Sequence, residues 1–407
     1  MKNLLVGVAL AFLAGCGGSS GHSSFVAGSG STVAPSTSSS TPTPTPKPTP
    51  TPTPAPKPTP IPPKPPAPPA PPAPPPKPPA PPAPPAPPPA VKPKLDVAVW
   101  LPYWGGTTGT ATVKANVGVG KAINEVDVFS YSVKTDGSLN VLAGARDASL
   151  IAAIHNNKGT AWVTITGANG TAVLADATKR NRFIDACVSE CSTYHYDGVD
   201  LDWESLAASD RAPFTDMCGK LKAALKAKSK LLSITVIGKT QDKSTWGAAQ
   251  ALDYSALGKV ADRFKIMTYD YSGSWGSAGP IGPIFWSSKV LDYAIAAGVP
   301  KDRLYLGIPF YGRDWKAPKN CVSVTATAAQ ALAAKAIGGV KFDTASGEAN
   351  FQYKDSAGIT HTVWFQNAAA IKAKCEMAKK KGIAGICCWS VNQETKDFWT
   401  AIEAAKK

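Results

Sequence analysis

The chain has 407 residues and a formal net charge of +15, and its prolines are concentrated in one segment. Of the 39 prolines, 31 lie between Pro42 and Pro93, and the first acidic residue is Asp96. Residues 1–95 therefore offer too few apolar side chains to offset the entropy of ordering, which excludes a folded core there. Residues 96–407 have an ordinary globular composition and a length that suits one α/β barrel.

The positive charge is shared between the two parts of the chain. Seven lysines lie in the acid-free residues 1–95, which leaves about +8 on residues 96–407. A basic protein can bind nucleic acid, but no nucleic-acid recognition motif accompanies this charge. We therefore expect a soluble basic surface and no nucleic-acid partner.

Residues 1–16 have the organisation of an export signal. A positive start, Met1-Lys2-Asn3, precedes an apolar run at 4–14 that is too short for a membrane-spanning helix of about 20 residues. The run ends in Leu-Ala-Gly-Cys16, which resembles the lipobox of bacterial lipoproteins. The resemblance implies cleavage before Cys16, lipidation of Cys16, and an exported protein anchored to the outer membrane or the cell surface. An ordinary secretory signal with an incidental cysteine is the alternative.

Residues 17–95 are expected to form a disordered linker. The segment 17–40 is rich in Gly, Ser and Thr, and Thr-Pro and Ala-Pro-Pro repeats follow it. Such repeats favour the polyproline II conformation, and some 54 residues at about 3.1 Å each would reach roughly 170 Å. We interpret the segment as a spacer between a membrane and a catalytic domain, with a ligand for a proline-binding partner as the alternative.

Seven cysteines follow Cys16, and this odd number leaves at least one free thiol in an exported chain. No pair has the Cys-x-x-Cys spacing of a zinc site, so we expect no metal. Buried small residues with two or three disulfide bridges are expected instead. The seven are Cys187, Cys191, Cys218, Cys321, Cys375, Cys387 and Cys388.

From Asp96 onward, short β-rich runs alternate with longer stretches of helical character. Strands are predicted at 96–101, 125–131, 161–166, 198–202, 231–237, 263–268, 304–309 and 382–389. Helices are predicted at 147–156, 179–195, 211–228, 287–298 and 367–381. This alternation implies an α/β protein with parallel strands and right-handed crossovers, which eight units close into a (β/α)8 TIM barrel.

The interval between the seventh and eighth strands is too long for one crossover. It contains a hairpin-like pattern at 350–355, Gly358 and 360–365. We therefore expect a small α+β insertion at about 316–361 that forms one wall of a cleft. In a barrel of this kind the active site lies at the carboxyl ends of the strands, so polar residues at those ends are the candidates for function.

The fourth predicted strand carries the strongest functional signal, since residues 197–204 are Asp-Gly-Val-Asp-Leu-Asp-Trp-Glu. Side chains on a strand alternate between its faces, so Asp200, Asp202 and Glu204 share one face. The intervening apolar residues would face the helices, which turns the acids towards the barrel axis. Three carboxylates so arranged repel one another, so some must hold protons and their titrations must be coupled. Glu204 is the outermost and longest, and is the candidate proton donor.

This run resembles the D-x-x-D-x-D-x-E signature of glycoside hydrolase family 18, the chitinase family, and the resemblance covers about 96–407. It implies retaining, substrate-assisted cleavage of β-1,4-linked N-acetylglucosamine polymers, in which the N-acetyl carbonyl of the substrate attacks the anomeric carbon. By this likeness Glu204 protonates the leaving oxygen and later activates water. Asp202 would orient the acetamide and stabilise the oxazolinium intermediate, while Asp200 would share a proton with Asp202. Asp197, the first acid, would be structural.

Segments after the sixth strand extend the resemblance. Residues 267–270 are Met-Thr-Tyr-Asp, similar to the M-x-Y-D segment of the family, and Trp275 follows them. The resemblance implies that Tyr269 donates a hydrogen bond to the reacting acetamide oxygen. It also implies that Met267 packs beneath the sugar and that Asp270 forms a hydrogen bond with it.

Segments after the remaining strands add candidate binding residues. Residues 307–313 resemble the G-x-P-x-Y-G-R of the family, which implies that Tyr311 and Arg313 line the cleft. Trp389 ends the eighth strand, where the family places a tryptophan beneath the reacting sugar, and an aromatic plane suits an apolar sugar face. Tyr103 and Trp104 follow the first strand and could add subsites, although Trp104 could equally belong to the core.

One segment departs from the family. The third strand ends in Thr164-Ile-Thr-Gly-Ala168, where the family usually has S-x-G-G, and this puts the substrate fit there in doubt. His195 and His361 have no partner signature and are expected to be structural.

The substrate stays open at this stage. Chitin is the first candidate, and residues 311–315 and 363–367 also resemble the spore-cortex lytic branch of the family, so a peptidoglycan N-acetylglucosaminidase is the second. A catalytically inactive chitin-binding protein is the third, although such members usually lack the last acid, which is present here as Glu204. We expect no cofactor and a monomer.

Overall fold

The computed structural model describes residues 95–244 and 246–407. Within them, eight parallel strands form a closed barrel in the order β1, β2, β4, β5, β6, β7, β8 and β14, and β1 pairs with both β2 and β14 to close the ring. The strands are β1 (Asp96–Pro102), β2 (Glu125–Val133), β4 (Thr160–Thr166), β5 (Gly198–Asp202), β6 (Leu231–Ile237), β7 (Arg263–Met267), β8 (Leu304–Pro309) and β14 (Gly385–Trp389). A short strand, β3 (Leu139–Val141), adds antiparallel to β2.

Helices follow the strands and cover the outside of the barrel. They are α1 (Gly106–Asn116), α2 (Ala148–Asn156), α3 (Gly170–Leu174), α4 (Ala177–Thr193), α5 (Arg211–Lys226), α6 (Gly247–Ala251), α7 (Tyr254–Val260), α8 (Ile284–Ala296), α10 (Ala368–Lys381) and α11 (Lys396–Lys406). The predicted TIM barrel is therefore confirmed, with every predicted strand and helix present within a few residues of its expected ends.

Local sequence explains where several helices begin and end. The side chains of Asp147, Asp176 and Asn367 accept hydrogen bonds from backbone N–H groups in the first turns of α2, α4 and α10. Helix α10 ends at Gly382, whose φ of 66° lies in the left-handed region that favours glycine. Its last turn carries lysines, which interact favourably with the negative end of the helix dipole.

Some helices were not predicted. The sequence of α1 is GTTGTATVKAN, and its glycines and threonines have low helix propensity. The short helices α3, α6 and α7 and the terminal α11 were also missed. Each of these helices buries a few apolar residues against the barrel, so tertiary packing outweighs their weak local preference.

The predicted insertion between the seventh and eighth barrel strands is present. It is a five-stranded antiparallel sheet, in the order β10, β9, β13, β12 and β11, with the helix α9 (Ala326–Leu332). Its strands are β9 (Tyr311–Ala317), β10 (Asn320–Thr325), β11 (Lys341–Asp343), β12 (Glu348–Lys354) and β13 (Thr360–Phe365). The sheet thus runs from Tyr311 to Phe365, a few residues beyond the expected range at each end, because β9 starts directly after β8.

The expectation of disulfide bridges was wrong. All seven cysteines in the described part of the chain are free, and six of them are buried. Burial raises the pKa of the Cys191 and Cys375 thiols to about 12. The six buried cysteines therefore act as small apolar residues of the core, which confirms the other part of the expectation.

The export signal, Cys16 and the linker, apart from Leu95, lie outside the described residues. Among those that are described, no helix has both the length and the apolar character needed to cross a membrane.

Strand β5 shows how the core is divided between the two faces of the barrel. Val199, Leu201 and Trp203 belong to the apolar layer beneath the helices. The Trp203 ring lies 5.2 Å from that of Phe183 on α4 and 5.6 Å from that of Phe214 on α5. Gly167 allows this packing, because a Cβ atom there would meet Trp203 at 2.2 Å.

We predict that Trp203→Ala lowers the free energy of unfolding by about 3–5 kcal/mol, because it leaves a large cavity between the barrel and two helices. Urea denaturation measures this change. Trp246→Ala is the control, since this ring is 44% exposed, and it should change stability by less than about 0.5 kcal/mol. Equal effects of the two substitutions would contradict the packing role of Trp203.

Candidate active site

The three acids of the fourth strand lie on the inner side of the barrel, as predicted. Asp200 and Asp202 are buried on β5, and Glu204, just past the end of the strand, is partly accessible. The parallel register places Asp200 beside Thr164 of β4, and Asp202 beside Thr235 of β6. The acids therefore rise from the barrel interior towards its mouth.

Asp200 is held by hydrogen bonds from three other strands. The indole Nε1 of Trp100 and the Oγ1 of Thr164 each donate to Oδ2 at 3.0 Å, and the Oγ1 of Thr235 donates to Oδ1 at 2.9 Å. Three donors from three strands therefore satisfy this buried carboxylate. Thr164 belongs to the segment that departs from the family pattern, and the departure leaves a hydroxyl in contact with Asp200.

Asp202 has the opposite environment. It is buried, and its Oδ1 has no hydrogen-bond partner among the described residues. Burial raises the pKa of Asp202 well above its ordinary value of 3.8, and the negative charges of Glu204 and Asp200 raise it further. Asp202 therefore keeps a proton at a pH where an exposed aspartate has lost it.

A buried charged layer lies beneath these acids. The Nζ of Lys265, on β7, lies 2.6 Å from Asp127 Oδ2 and 2.8 Å from Glu125 Oε1, both on β2. It also lies 3.9 Å from Asp200 Oδ1. The three acids and Lys265 are all buried, so the floor of the site is an ion cluster within the barrel.

The loop after β7 brings together the predicted Tyr, Asp and Trp of that segment. The Tyr311 hydroxyl donates to Asp270 Oδ1 at 2.6 Å, and Arg313 forms an ion pair with the same oxygen. The Arg313 guanidinium lies 5.5 Å from the Trp275 ring centre. These contacts hold Asp270 in the left-handed region, at a φ of 57°. Thus β7 and β9 form one polar and aromatic side of the mouth.

Tyr269 connects this side to the acids. Its ring lies 6.2 Å from that of Tyr311, and burial raises the pKa of its hydroxyl well above 10, with smaller effects from the charges of Asp202 and Glu204. Tyr269 thus remains a neutral hydrogen-bond donor. Met267 is partly buried and follows Lys265 on the inner face of β7, between the ion cluster and the mouth.

A second group of aromatic rings lies at the ends of β14, β1 and β2. Trp389, at the end of β14, lies 4.8 Å from Phe129, 6.0 Å from Trp100 and 6.2 Å from Trp104, measured between ring centres. Tyr103 contacts Trp104 at 4.8 Å, and Trp104 is 53% exposed, which places it on the surface of the cleft. The aromatic group can therefore offer flat apolar surface to a sugar.

The insertion contributes to the same wall. Trp364, on β13, and the buried Trp315, on β9, belong to one apolar cluster with Tyr269, Tyr311 and Trp389. The antiparallel register aligns Trp364 with Arg313. The inserted sheet thus adjoins residues from the ends of β7 and β14.

The remaining predicted structural residues lie away from the mouth. Asp197 accepts hydrogen bonds from the backbone N–H of Ala161 and pairs with His155 at 2.8 Å, at the start of β5. His361 pairs with Asp314 at 2.8 Å within the inserted sheet. His195 is exposed and follows α4 with a φ of 61°.

Several residues of the site were missed from the sequence, namely Trp100, Thr235, Lys265, Glu125, Asp127 and Phe129. The signal was present, because β2 reads Glu-Val-Asp-Val-Phe and β7 reads Arg-Phe-Lys-Ile-Met, with polar residues at every second position. The same alternation that identified the acids of β5 could have identified these two strands.

The arrangement combines a partly accessible carboxyl group, a buried acid that retains a proton and a neutral tyrosine hydroxyl beside an aromatic cleft. Metal chemistry is not needed for this combination to transfer a proton to an oxygen atom and to stabilise an adjacent positive charge. Those are the requirements for breaking a glycosidic bond, and they place the chain among the glycosidases.

Comparisons with known proteins agree with this class. The model of the glycosyl hydrolases family 18 matches residues 103–394, more than half of the chain, so the chain belongs to that family. The uncharacterized glycosylase YvbX of Bacillus subtilis (strain 168) is 27% identical over 257 residues, which cover 63% of this chain and 74% of the relative. The cortical fragment-lytic enzyme of Bacillus anthracis is 28% identical over 298 residues, with 70% and 69% covered.

A solved structure is similar over the same region. The chitinase from Chromobacterium violaceum ATCC 12472 matches with a TM-score of 0.69 at 25% identity, covering 76% of this chain and 98% of that one. Both a chitinase and a cortical fragment-lytic enzyme are therefore among the proteins to which this chain is similar.

The raised pKa of Asp202 predicts a pH-dependent stability. Because the folded state binds this proton more tightly than the unfolded state, the stabilisation is complete below about pH 4 and is lost as the pH rises towards the folded pKa. Relative to Asp202→Asn, the wild-type protein should lose up to about 1.4 kcal/mol per pH unit in that window. Urea denaturation across a pH series measures the difference.

The control is Asp185→Asn, on an exposed position of α4. Its difference curve against the wild-type protein should be flat, because that carboxylate stays in water in both states. A flat curve for Asp202→Asn as well would show that Asp202 does not hold a proton in the folded protein.

Proposed function

We propose that this protein hydrolyses β-1,4-linked N-acetylglucosamine polymers, with chitin and its oligosaccharides as the first candidate substrate, by retaining substrate-assisted catalysis. The observation that carries the proposal is the ladder of Asp200, Asp202 and Glu204, in which the middle acid is buried and keeps a proton. An ordinary two-carboxylate mechanism needs a second free carboxylate near the sugar. A protonated Asp202 suits a hydrogen bond to the substrate acetamide instead.

In this mechanism Glu204 donates a proton to the glycosidic oxygen, and the acetamide oxygen of the bound sugar attacks the anomeric carbon. Asp202 and Tyr269 hold the acetamide group by hydrogen bonds, and the Glu204 carboxylate formed in this step balances the positive charge of the oxazolinium ion. Glu204 then removes a proton from the water that opens this ion, which restores the Glu204 carboxyl group and gives the β product.

The binding residues suit a sugar chain. Trp389 would lie beneath the reacting sugar, while Met267, Asp270, Tyr311, Arg313 and Trp275 would contact it from the β7 side. Tyr103 and Trp104 would extend the cleft on the other side. Aromatic surface flanked by a few charged groups is typical of a carbohydrate site, and no cofactor is required.

Peptidoglycan is the second candidate, and a specific comparison favours it. The cortical fragment-lytic enzyme of Bacillus anthracis aligns with 70% of this chain, while chitinase C of Streptomyces lividans, 28% identical, aligns with 50% of it. Both polymers contain a β-linked N-acetylglucosamine whose acetamide could serve as the nucleophile, so one catalytic site could act on either.

We also propose that the protein is exported and lipid-anchored through Cys16, as a monomer whose linker holds the catalytic domain away from the membrane. The support is the sequence alone, namely the lipobox-like run at 13–16 and the proline-rich segment that follows it.

We predict that Glu204→Gln lowers the kcat on chitooligosaccharides by about 10²–10⁴-fold, because the amide cannot donate the proton. The measurement is the release of products from chitin oligomers by the full chain. Glu403→Gln, on the terminal helix α11, is the matched control and should retain full activity. An active Glu204→Gln variant would remove the proposed acid from the mechanism.

We predict that the β anomer forms first and that chitin oligomers are cleaved faster than peptidoglycan. Proton NMR of fresh products gives the anomer, and mass spectrometry of both digests gives the bond that is cut. Products from peptidoglycan alone would assign the second candidate substrate. An α product from either polymer would contradict the substrate-assisted mechanism.

A further inference from the structure

Lys265 is buried within the barrel, beneath the ladder of Asp200, Asp202 and Glu204, and it takes no part in the proposed mechanism. A buried ammonium group is costly unless several anions surround it. Lys265 has two carboxylates within 2.8 Å, and a third, Asp200, at 3.9 Å. The third is the lowest member of the catalytic ladder, so the ion cluster and the active site share a residue.

Charged and titratable groups from several strands surround Lys265. Its pKa is raised above the ordinary lysine value, because Asp127, Asp200 and Glu125 together outweigh the cost of burial. Its Nζ also lies 5.4 Å from the Trp100 ring and 5.7 Å from the Trp162 ring, and both attractions favour the cation. The other titratable neighbours are Arg263 on β7, which pairs with Glu125, and the buried Cys387 on β14.

The carboxyl groups divide into two kinds. Burial raises the pKa of Asp127 well above its ordinary value, as it does for Asp202. Asp200 instead accepts three hydrogen bonds and faces the ammonium group. The geometry therefore places Lys265 and three hydrogen-bond donors around Asp200, and it leaves Asp202 Oδ1 without a hydrogen-bond partner among the described residues.

We propose that Lys265 is a positioning residue for the reaction, which holds Asp200 as an anion and thereby keeps the single proton of the Asp200–Asp202 pair on Asp202. This inference rests on the proposed function and deepens it. The proton then lies on the member of the pair nearer the mouth, where the Asp202 carboxyl group can form a hydrogen bond with the substrate acetamide. Lys265 itself is buried and does not contact the substrate.

The experiment uses Lys265→Met in the full chain. Without the cation, the Asp200–Asp202 pair loses its first proton only at a higher pH. The acid limb of the pH profile of kcat/KM should therefore shift to higher pH by at least about one unit. The KM on the plateau should not change, because Lys265 does not reach the sugar. The matched control is Lys259→Met, at an exposed position of α7, which should leave the acid limb in place.

A second measurement needs no substrate. In protein with ¹³C-labelled aspartate carboxyl groups, the first ionisation of the Asp200–Asp202 pair is followed by NMR during a pH titration. The pH of this ionisation should rise in Lys265→Met by the same amount as the acid limb of the kcat/KM profile. If the wild-type chain cleaves neither polymer, the proposed function fails, while the titration still decides the role of Lys265.

Loss of the cation could prevent folding, since it leaves uncompensated buried acids. The double variant Lys265→Met/Glu125→Gln removes one positive and one negative charge together, and Glu125→Gln is its reference. The first ionisation of the pair should still occur at a higher pH in the double variant than in Glu125→Gln, because Lys265 is the group that faces Asp200. If the pH of this ionisation did not change in either folded variant, the proposal would be overturned.

Discussion

Carboxyl groups that leave water inside a barrel must find a cation, accept several hydrogen bonds or keep a proton, and this constraint governs the centre of the molecule. Each solution appears once or more. Glu125 meets Lys265 and Arg263, Asp200 accepts three hydrogen bonds, and Asp202 retains its proton. Because these groups lie within one ring of strands, the charge of each acts on the others.

The barrel makes this coupling possible because it brings distant parts of the chain to one point. Trp100, Thr164 and Thr235 come from three strands, and each donates to the same carboxylate of Asp200. At the mouth, Asp270 is held by Tyr311 and Arg313 of the inserted sheet. The acids of the ladder therefore lie on a barrel strand, while the insertion supplies the residues that hold Asp270 at the mouth.

Membership of family 18 defines the chemistry more closely than the polymer. In the proposed mechanism the acids and Tyr269 act on an N-acetylated sugar, which chitin and peptidoglycan both contain. We therefore expect the choice between these polymers to depend on residues further from the cleaved bond, such as Trp104, Trp275 and the inserted sheet.

The sequence alone determined the barrel, the insertion and the acids of β5, because strict alternation of polar and apolar residues fixes which side chains face the axis. It also determined the candidate residues at the ends of β7, β8 and β14. It did not determine the helices α1, α7 and α11, whose local preference is weak, nor the absence of disulfides among the seven described cysteines. Only the tertiary structure decided that Asp200 accepts three hydrogen bonds beside a lysine, while burial raises the pKa of Asp202. That distinction depends on contacts with Trp100, Thr235 and Lys265, which are far apart in the chain and meet only when the barrel closes.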